Sequence, residues 1–132
     1  MVVTDDGFHE RDPRDEESGQ VDLVNWLHRI HPKAWAATFH VPNGGYRARK
    51  TAARMKLLGV KRGVPDLIML LPRGDHCGLA IELKRSEGRY KASDDQWLWL
   101  DRFTASGFMA VCCRVSEAPD VICSYLNEGK SD

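Results

Sequence analysis

Long hydrophobic runs are missing from this sequence of 132 residues. No stretch approaches the roughly 18 consecutive apolar residues of a membrane-spanning helix, so a helical membrane protein is not expected. The opening stretch, MVVTDDGFHERD, is acidic rather than basic and apolar, does not read as a signal peptide, and makes a cytoplasmic protein the default. Metal-binding cysteine pairs are missing as well. Cys112 and Cys113 are adjacent, Cys77 and Cys123 are isolated, and no CxxC exists. Neighbours in a strand point to opposite faces and make poor co-ligands. The thiols are therefore expected to be small buried hydrophobes rather than iron–sulfur or zinc ligands. His9, His28, His31, His40 and His76 show no HxxxH or HxH spacing, which argues against a zinc site. Nothing resembling a GxSxG elbow or a Cys–His pair argues for a covalent enzyme intermediate.

Acidic residues are also missing from the whole of residues 23–65, and what remains there is a cationic block. Nine bases (Arg29, Lys33, Arg47, Arg49, Lys50, Arg54, Lys56, Lys61 and Arg62) stand against no acid, a net of +9. Residues 1–22 are the opposite, with eight acids against Arg11 and Arg14, a net of −6. The formal net charge of zero hides this segregation. A block of one sign suggests a polyanionic partner, with a solvated helix face as the plain alternative.

The content is that of a single globular domain: 42% hydrophobic and 29% charged, with no repeat and no linker. Residues 1–14 are aperiodic and are expected to form a disordered acidic arm, leaving 15–132 as the domain. A helix is expected over 15–30, with Leu23, Leu27 and Ile30 on its apolar stripe and His31-Pro32 as its stop. WAATFHV (35–41) reads as a strand ended by the Pro42-Asn43-Gly44-Gly45 turn, and Tyr46–Leu58 as a second helix capped by Gly59. VPDLIMLL (64–71) and GLAIELKR (78–85) flank the turn-rich PRGDHC as a hairpin. Ser93-Asp94-Asp95-Gln96 is a capping-box start for a third helix, apolar nearly all round and so expected to be buried on more than one side or to serve a dimer interface. A strand over 108–115 and a last helix capped by Ser116 complete an α/β fold, α-β-α-β-β-α-β-α, with one mixed sheet flanked by helices.

One constellation in this pattern is difficult to explain as structure alone. Alternation in a strand puts Glu82 and Lys84 on one face. A hairpin folded about Gly74 sets Asp66 opposite Glu82, with Cβ atoms about 5 Å apart. Like charges in that position are destabilising, and a hard cation with oxygen ligands removes the penalty, which makes Mg²⁺ or Mn²⁺ the natural occupant. Lys84 is then placed to orient an attacking water or to stabilise charge on a phosphate. A surface ion-pair cluster is the alternative.

These residues also spell a family. Gly63-Val64-Pro65-Asp66 followed by Glu82-Leu83-Lys84 resembles the PD-(D/E)xK nuclease superfamily, whose fold is restriction endonuclease-like. HVPNGG (40–45), LLGVKRGVPDLIML (57–70), GLAIELKRSEG (78–88) and DQWLWLDRFTASGF (95–108) are similar to its VRR-NUC branch, over roughly residues 16–127. The resemblance implies that Asp66 and Glu82 bind metal, with the Leu83 carbonyl as a third ligand, and that Lys84 and Gln96 are catalytic. For Gln96 a capping role is the alternative. The family also uses an acid on its first helix. Glu16 falls on the inward line of Gln20, Leu23, Leu27 and Ile30, where a carboxylate is costly unless a cation meets it, so Glu16 is preferred to Glu17. Asn43, Arg47, Lys50, Arg54, Lys61 and Arg62 are the DNA-binding candidates, holding backbone without reading sequence. His40 lies close enough in sequence to sit near the site, or to be a satisfied strand-end residue.

The function so implied is a metal-dependent DNA endonuclease acting at four-way (Holliday) or other branched junctions, as a homodimer, without an organic cofactor, and fitting a bacterium or phage. A flap- or duplex-cleaving nuclease of restriction type and a non-catalytic DNA-binding module are the rivals.

Overall fold

Gly74 sets the architecture by closing a tight turn at φ 54, with Arg73 bridged to His76 across it. The strands that leave this turn, β4 (Leu67–Met69) and β5 (Leu79–Lys84), pair antiparallel as Leu67↔Ile81, Ile68↔Ala80 and Met69↔Leu79. Every pair is symmetric about residue 74, the register that the sequence predicts. The computed structural model describes the backbone of residues 2–3, 7–42 and 49–129, and side chains from 7 to 42 and 51 to 129.

Two further strands complete a four-stranded sheet. β3 (Thr38–His40) pairs antiparallel with β4, and β6 (Met109–Arg114) pairs parallel with β5, giving the order β3-β4-β5-β6. The parallel pair is joined through a helix, α4 (Asp94–Ala105), as a parallel crossover requires. Alternation divides β5 between two environments. Leu79, Ile81 and Leu83 enter the main core with Leu23, Trp26 and Leu27 of α1 (Glu16–Ile30) and Ile122, Tyr125 and Leu126 of α5 (Ala118–Asn127). Ala80, Glu82 and Lys84 take the opposite face, where Gln96 of α4 meets the two charged side chains. The basic helix α3 (Arg49–Leu57) leads into the Gly63–Asp66 loop before β4. This is the mixed α/β, restriction endonuclease-like architecture expected, and no described helix is long and apolar enough to cross a membrane.

Several expectations need correction. Residues 7–14 are not a loose arm: Phe8 and Glu10 are 0% exposed, and the ribbon of β1 (Val2–Val3) and β2 (His9–Glu10) precedes them or contains them. Phe8 meets Trp26 edge to face at 6.3 Å, and Arg11 Nε lies 2.6 Å from Asp22 Oδ1, so α1 supplies both an apolar and an ionic seat. His31-Pro32 does not lead straight into a strand. Pro32 opens a short helix, α2 (Pro32–Ala36), because its fixed φ suits a first helical turn, and this trims the strand to Thr38–His40. Ile30 is exposed, since α1 ends there.

α4 is less buried than its composition suggests. Only Leu100 is fully covered, while Trp97 and Leu98 are half exposed. Phe103 meets Trp99 at a tilt and Phe108 edge to face, and Arg102 lies over the Trp99 ring. Ser116 caps no helix. Residues Val115–Glu117 form a 3-10 turn, the Ser116 amide donates to Ser86 Oγ at 2.9 Å, and α5 begins at Ala118 with Pro119 in its first turn. All four cysteines are free, but only Cys113 is buried. The Asn43–Gly45 part of the predicted turn and the start of the second helix lie outside the described residues.

Candidate active site

The site forms where β4 and β5 leave the apolar interior. Asp66 sits one residue before β4, and its Oδ2 accepts the Leu83 amide at 2.7 Å. Its backbone carbonyl accepts from the Val41 amide at 3.3 Å and from His40 Nδ1 at 2.7 Å. The aspartate is thus held at both ends. Pro65 is fully buried, which fixes the approach to it. Glu16, in the first turn of α1, completes a cluster in which one carboxylate oxygen each from Glu16, Asp66 and Glu82 lies within 4.8 Å of the others. Glu16 is partly buried in this cluster, while Glu17 faces solvent.

Three acids this close, with Glu82 only 2% exposed, are electrostatically costly. Burial, and then the Asp66 charge and a hydrogen bond to Asp66, push the Glu82 carboxyl up to about 9, against the opposing pull of Lys84. Burial also raises Glu16, followed by the Asp66 charge, with Lys84 and Arg85 opposing. An all-oxygen, partly buried donor set of this kind suits a hard divalent cation, which would let the acids ionise together.

Lys84 is 8% exposed and has two partners. Its Nζ donates to Gln96 Oε1 at 3.0 Å and lies 3.8 Å from Glu82 Oε2. Gln96 Nε2 in turn donates to Glu82 Oε2 at 3.0 Å. The same Gln96 Oε1 accepts the Ser93 amide at 2.8 Å, while the Gln96 amide donates to Ser93 Oγ at 3.2 Å. The helix cap and the contact with the lysine are therefore one arrangement. Gly63, at φ 82, lets the loop before Asp66 lie against this helix start: a Cβ there would stand 2.7 Å from the Asp95 carbonyl carbon.

Other predicted residues fall elsewhere. Leu83 turns its side chain into the main core and its amide to Asp66. Arg54, Lys61 and Arg62 are exposed on α3 and the segment after it, with no ion pair among the described residues. Lys50 lies on α3 with its side chain outside the described set, and Asn43 and Arg47 lie outside the described residues. His40 ends β3 and also lies beside the site, its ring bonded to the Asp66 backbone. With Nδ1 donating to the Asp66 carbonyl, Gln20, on α1 one turn beyond Glu16, lies beside that nitrogen with its Nε2 at 2.9 Å. Sequence reasoning placed Gln20 on the inward line but assigned it nothing. Cys112, expected to be a small buried hydrophobe, is only partly buried; it pairs with Glu82 across β5 and β6, and burial raises its thiol pKa.

Comparison with known proteins gives the same picture. The VRR-NUC domain model matches residues 14–117. A solved structure described as a "VRR_NUC domain protein" superposes with a TM-score of 0.74 at 30% identity, covering 89% of this chain and 92% of that one. No curated protein gives a significant match. On the match over residues 14–117 and on the shared fold, the chain belongs to the VRR-NUC family of nuclease domains.

Proposed function

We propose that this protein is a metal-dependent, structure-specific DNA endonuclease that hydrolyses phosphodiester bonds at four-way or other branched junctions, acting as a homodimer. The observation that carries the proposal is the convergence of Glu16, Asp66 and Glu82 within 4.8 Å beside a lysine that is almost wholly buried. Glu16, Asp66 and Glu82, with the Leu83 carbonyl, would hold Mg²⁺ or Mn²⁺, which when bound supplies Lewis-acid activation of the phosphate and of water.

The chain's own groups do the rest. Gln96 holds the Lys84 ammonium at 3.0 Å, so the cation is positioned before substrate arrives. Lys84 orients the attacking water and stabilises the negative charge that grows on the phosphoryl oxygens as the new P–O bond forms. The attacking water gives up a proton to solvent, the ester P–O bond breaks, and the leaving oxygen takes a proton from solvent. Asp66, tied down by the Leu83 amide and by His40, keeps the ligand set from collapsing or spreading during that change. Lys50, Arg54, Lys61 and Arg62, with Asn43 and Arg47, would hold the phosphate backbone.

The test is cleavage of labelled four-way junction, flap and linear duplex with Mg²⁺ or Mn²⁺, wild type beside Lys84→Ala. Junction cutting that disappears in the variant is expected. Preferential cutting of flap or linear duplex would point instead to the restriction-type reading. Salt-sensitive binding without cutting by either protein would leave a binding module.

A further inference from the structure

Two large apolar side chains stand exposed at the end of the most basic helix. Leu57 is 89% exposed and Leu58 74%, and residues 51–62 are all exposed apart from Met55. This ending is well formed. Gly59, at φ 97, closes a Schellman cap in which the Val60 amide donates to the Met55 carbonyl at 3.0 Å and the Gly59 amide to Lys56 at 3.1 Å. Such a cap fixes the direction in which the last helical turn presents its side chains. A Cβ added at Gly59 meets nothing within 4 Å, so the cap stands clear of its surroundings.

Charge selects what covers these leucines. Arg54, Lys56, Lys61 and Arg62 flank them, and no acid occurs from residue 23 to 65. An apolar face of another protein would strip water from those cations and offer no counter-charge. DNA offers both partners at once: phosphates for the cations and the space between base steps for the apolar tip. Leucine is one of the side chains proteins use as such a wedge. The tip is also within reach of the chemistry. The loop that follows it is seated against Asp95 and Gln96 at Gly63, and Gln96 bonds both Lys84 and Glu82. The eight residue-to-residue steps from Leu58 to Asp66 span at most about 28 Å, less than one turn of B-DNA at about 34 Å.

We infer that Leu57 and Leu58 form an apolar wedge that enters unstacked base steps of DNA, and that this is how the protein distinguishes a branch point from continuous duplex. The inference rests on the nuclease reading above only for the choice of substrate. Its test measures binding rather than cutting, in Ca²⁺, with 2-aminopurine placed in turn at each position flanking the branch point of a four-way junction. Wild-type protein is expected to raise the fluorescence at one or more of these positions. Leu57→Ser/Leu58→Ser, with an unchanged melting temperature, is expected to abolish the rise and to lower the ratio of junction to duplex affinity about tenfold, which corresponds to about 1.4 kcal/mol. Junction binding by wild type without a fluorescence change overturns the wedge, as does a double variant with the wild-type ratio. A variant that becomes monomeric where wild type is dimeric overturns it too, since a second copy then covers the leucines. None of these outcomes touches the cleavage result with Lys84→Ala, so the wedge and the nuclease reading fail separately.

Discussion

The charges of the β4–β5 end and the charges of α3 are built in opposite ways. At the sheet end, Glu82 and Lys84 are buried and each charged or polar group has a named neighbour: Glu82 with Gln96, Lys84 with Gln96 and Glu82, Asp66 with the Leu83 amide. Along α3 and the segment to Arg62, the described cations face water and make no ion pair among the described residues. Buried charges are worth much to a reaction because solvent does not screen them, and they are costly to the fold for the same reason. Exposed charges cost the fold little and act through counterion release when a polyanion binds. The molecule thus separates the groups suited to chemistry from those suited to holding the substrate.

The largest effect that would sharpen this contrast belongs to the lysine. Lys84→Ala is expected to slow single-turnover cleavage by roughly 10³-fold while leaving the salt dependence of DNA binding unchanged. An equal loss in binding would erase the distinction between the two regions. On α3 the expected result is the reverse. Replacing Arg54, Lys61 and Arg62 together by alanine is expected to weaken every DNA substrate alike and to flatten the slope of log K against log salt by roughly 0.9 for each lost phosphate contact. Titrations at several salt concentrations measure this, and an unchanged slope would mean that these side chains do not meet phosphate.

Stability carries a smaller signal with a clear sign. Asp66→Asn removes one of three crowded acids, so the metal-free protein is expected to melt no lower than wild type. Saturating Mn²⁺ at about 100 times its Kd is expected to raise the wild-type melting temperature by roughly 10 °C and to leave the variant unmoved. A variant still stabilised by Mn²⁺ would place the cation elsewhere. The smallest expected effect concerns Glu10, which lies outside the site. Burial, partly offset by the Ser86 hydrogen bond and reinforced by the Asp22 and Glu87 charges, holds its pKa above the usual 4.5. A raised carboxyl contributes stability that is complete below its unfolded pKa and lost as pH rises through the folded one. Wild type is therefore expected to lose stability relative to Glu10→Gln as the pH climbs above 4.5, and melting curves that stay parallel would contradict it.

Much of this was legible from residue order. The symmetric spacing of Asp66 and Glu82 about Gly74 gave the hairpin register, and strand alternation paired Glu82 with Lys84. The 3.6-residue period picked Glu16 over Glu17. What escaped was decided by partners distant in sequence. Phe8 and Glu10 sit in a stretch without period or apolar run, and distant residues, Trp26, Ser86 and Gly19 among them, make a place for them. The apolar composition of α4 suggested burial on several sides, yet with one sheet beneath it Trp97 and Leu98 remain open. His40 looked like a residue that ends a strand, because nothing local announces that its ring meets Gln20 and the Asp66 carbonyl.

Sequence by itself determined the long helices α1 and α4, the hairpin and the identity of the charged residues at its mouth. These depend on periodicity and turn chemistry within a few residues of each position. Tertiary structure alone decided that Glu16 reaches Asp66 and Glu82, that Gln96 serves the cap and the lysine together, and that the leucines after Lys56 stay outside the core. Those outcomes depend on distances between elements, and such distances are set by how the helices pack on the sheet, which no local pattern encodes.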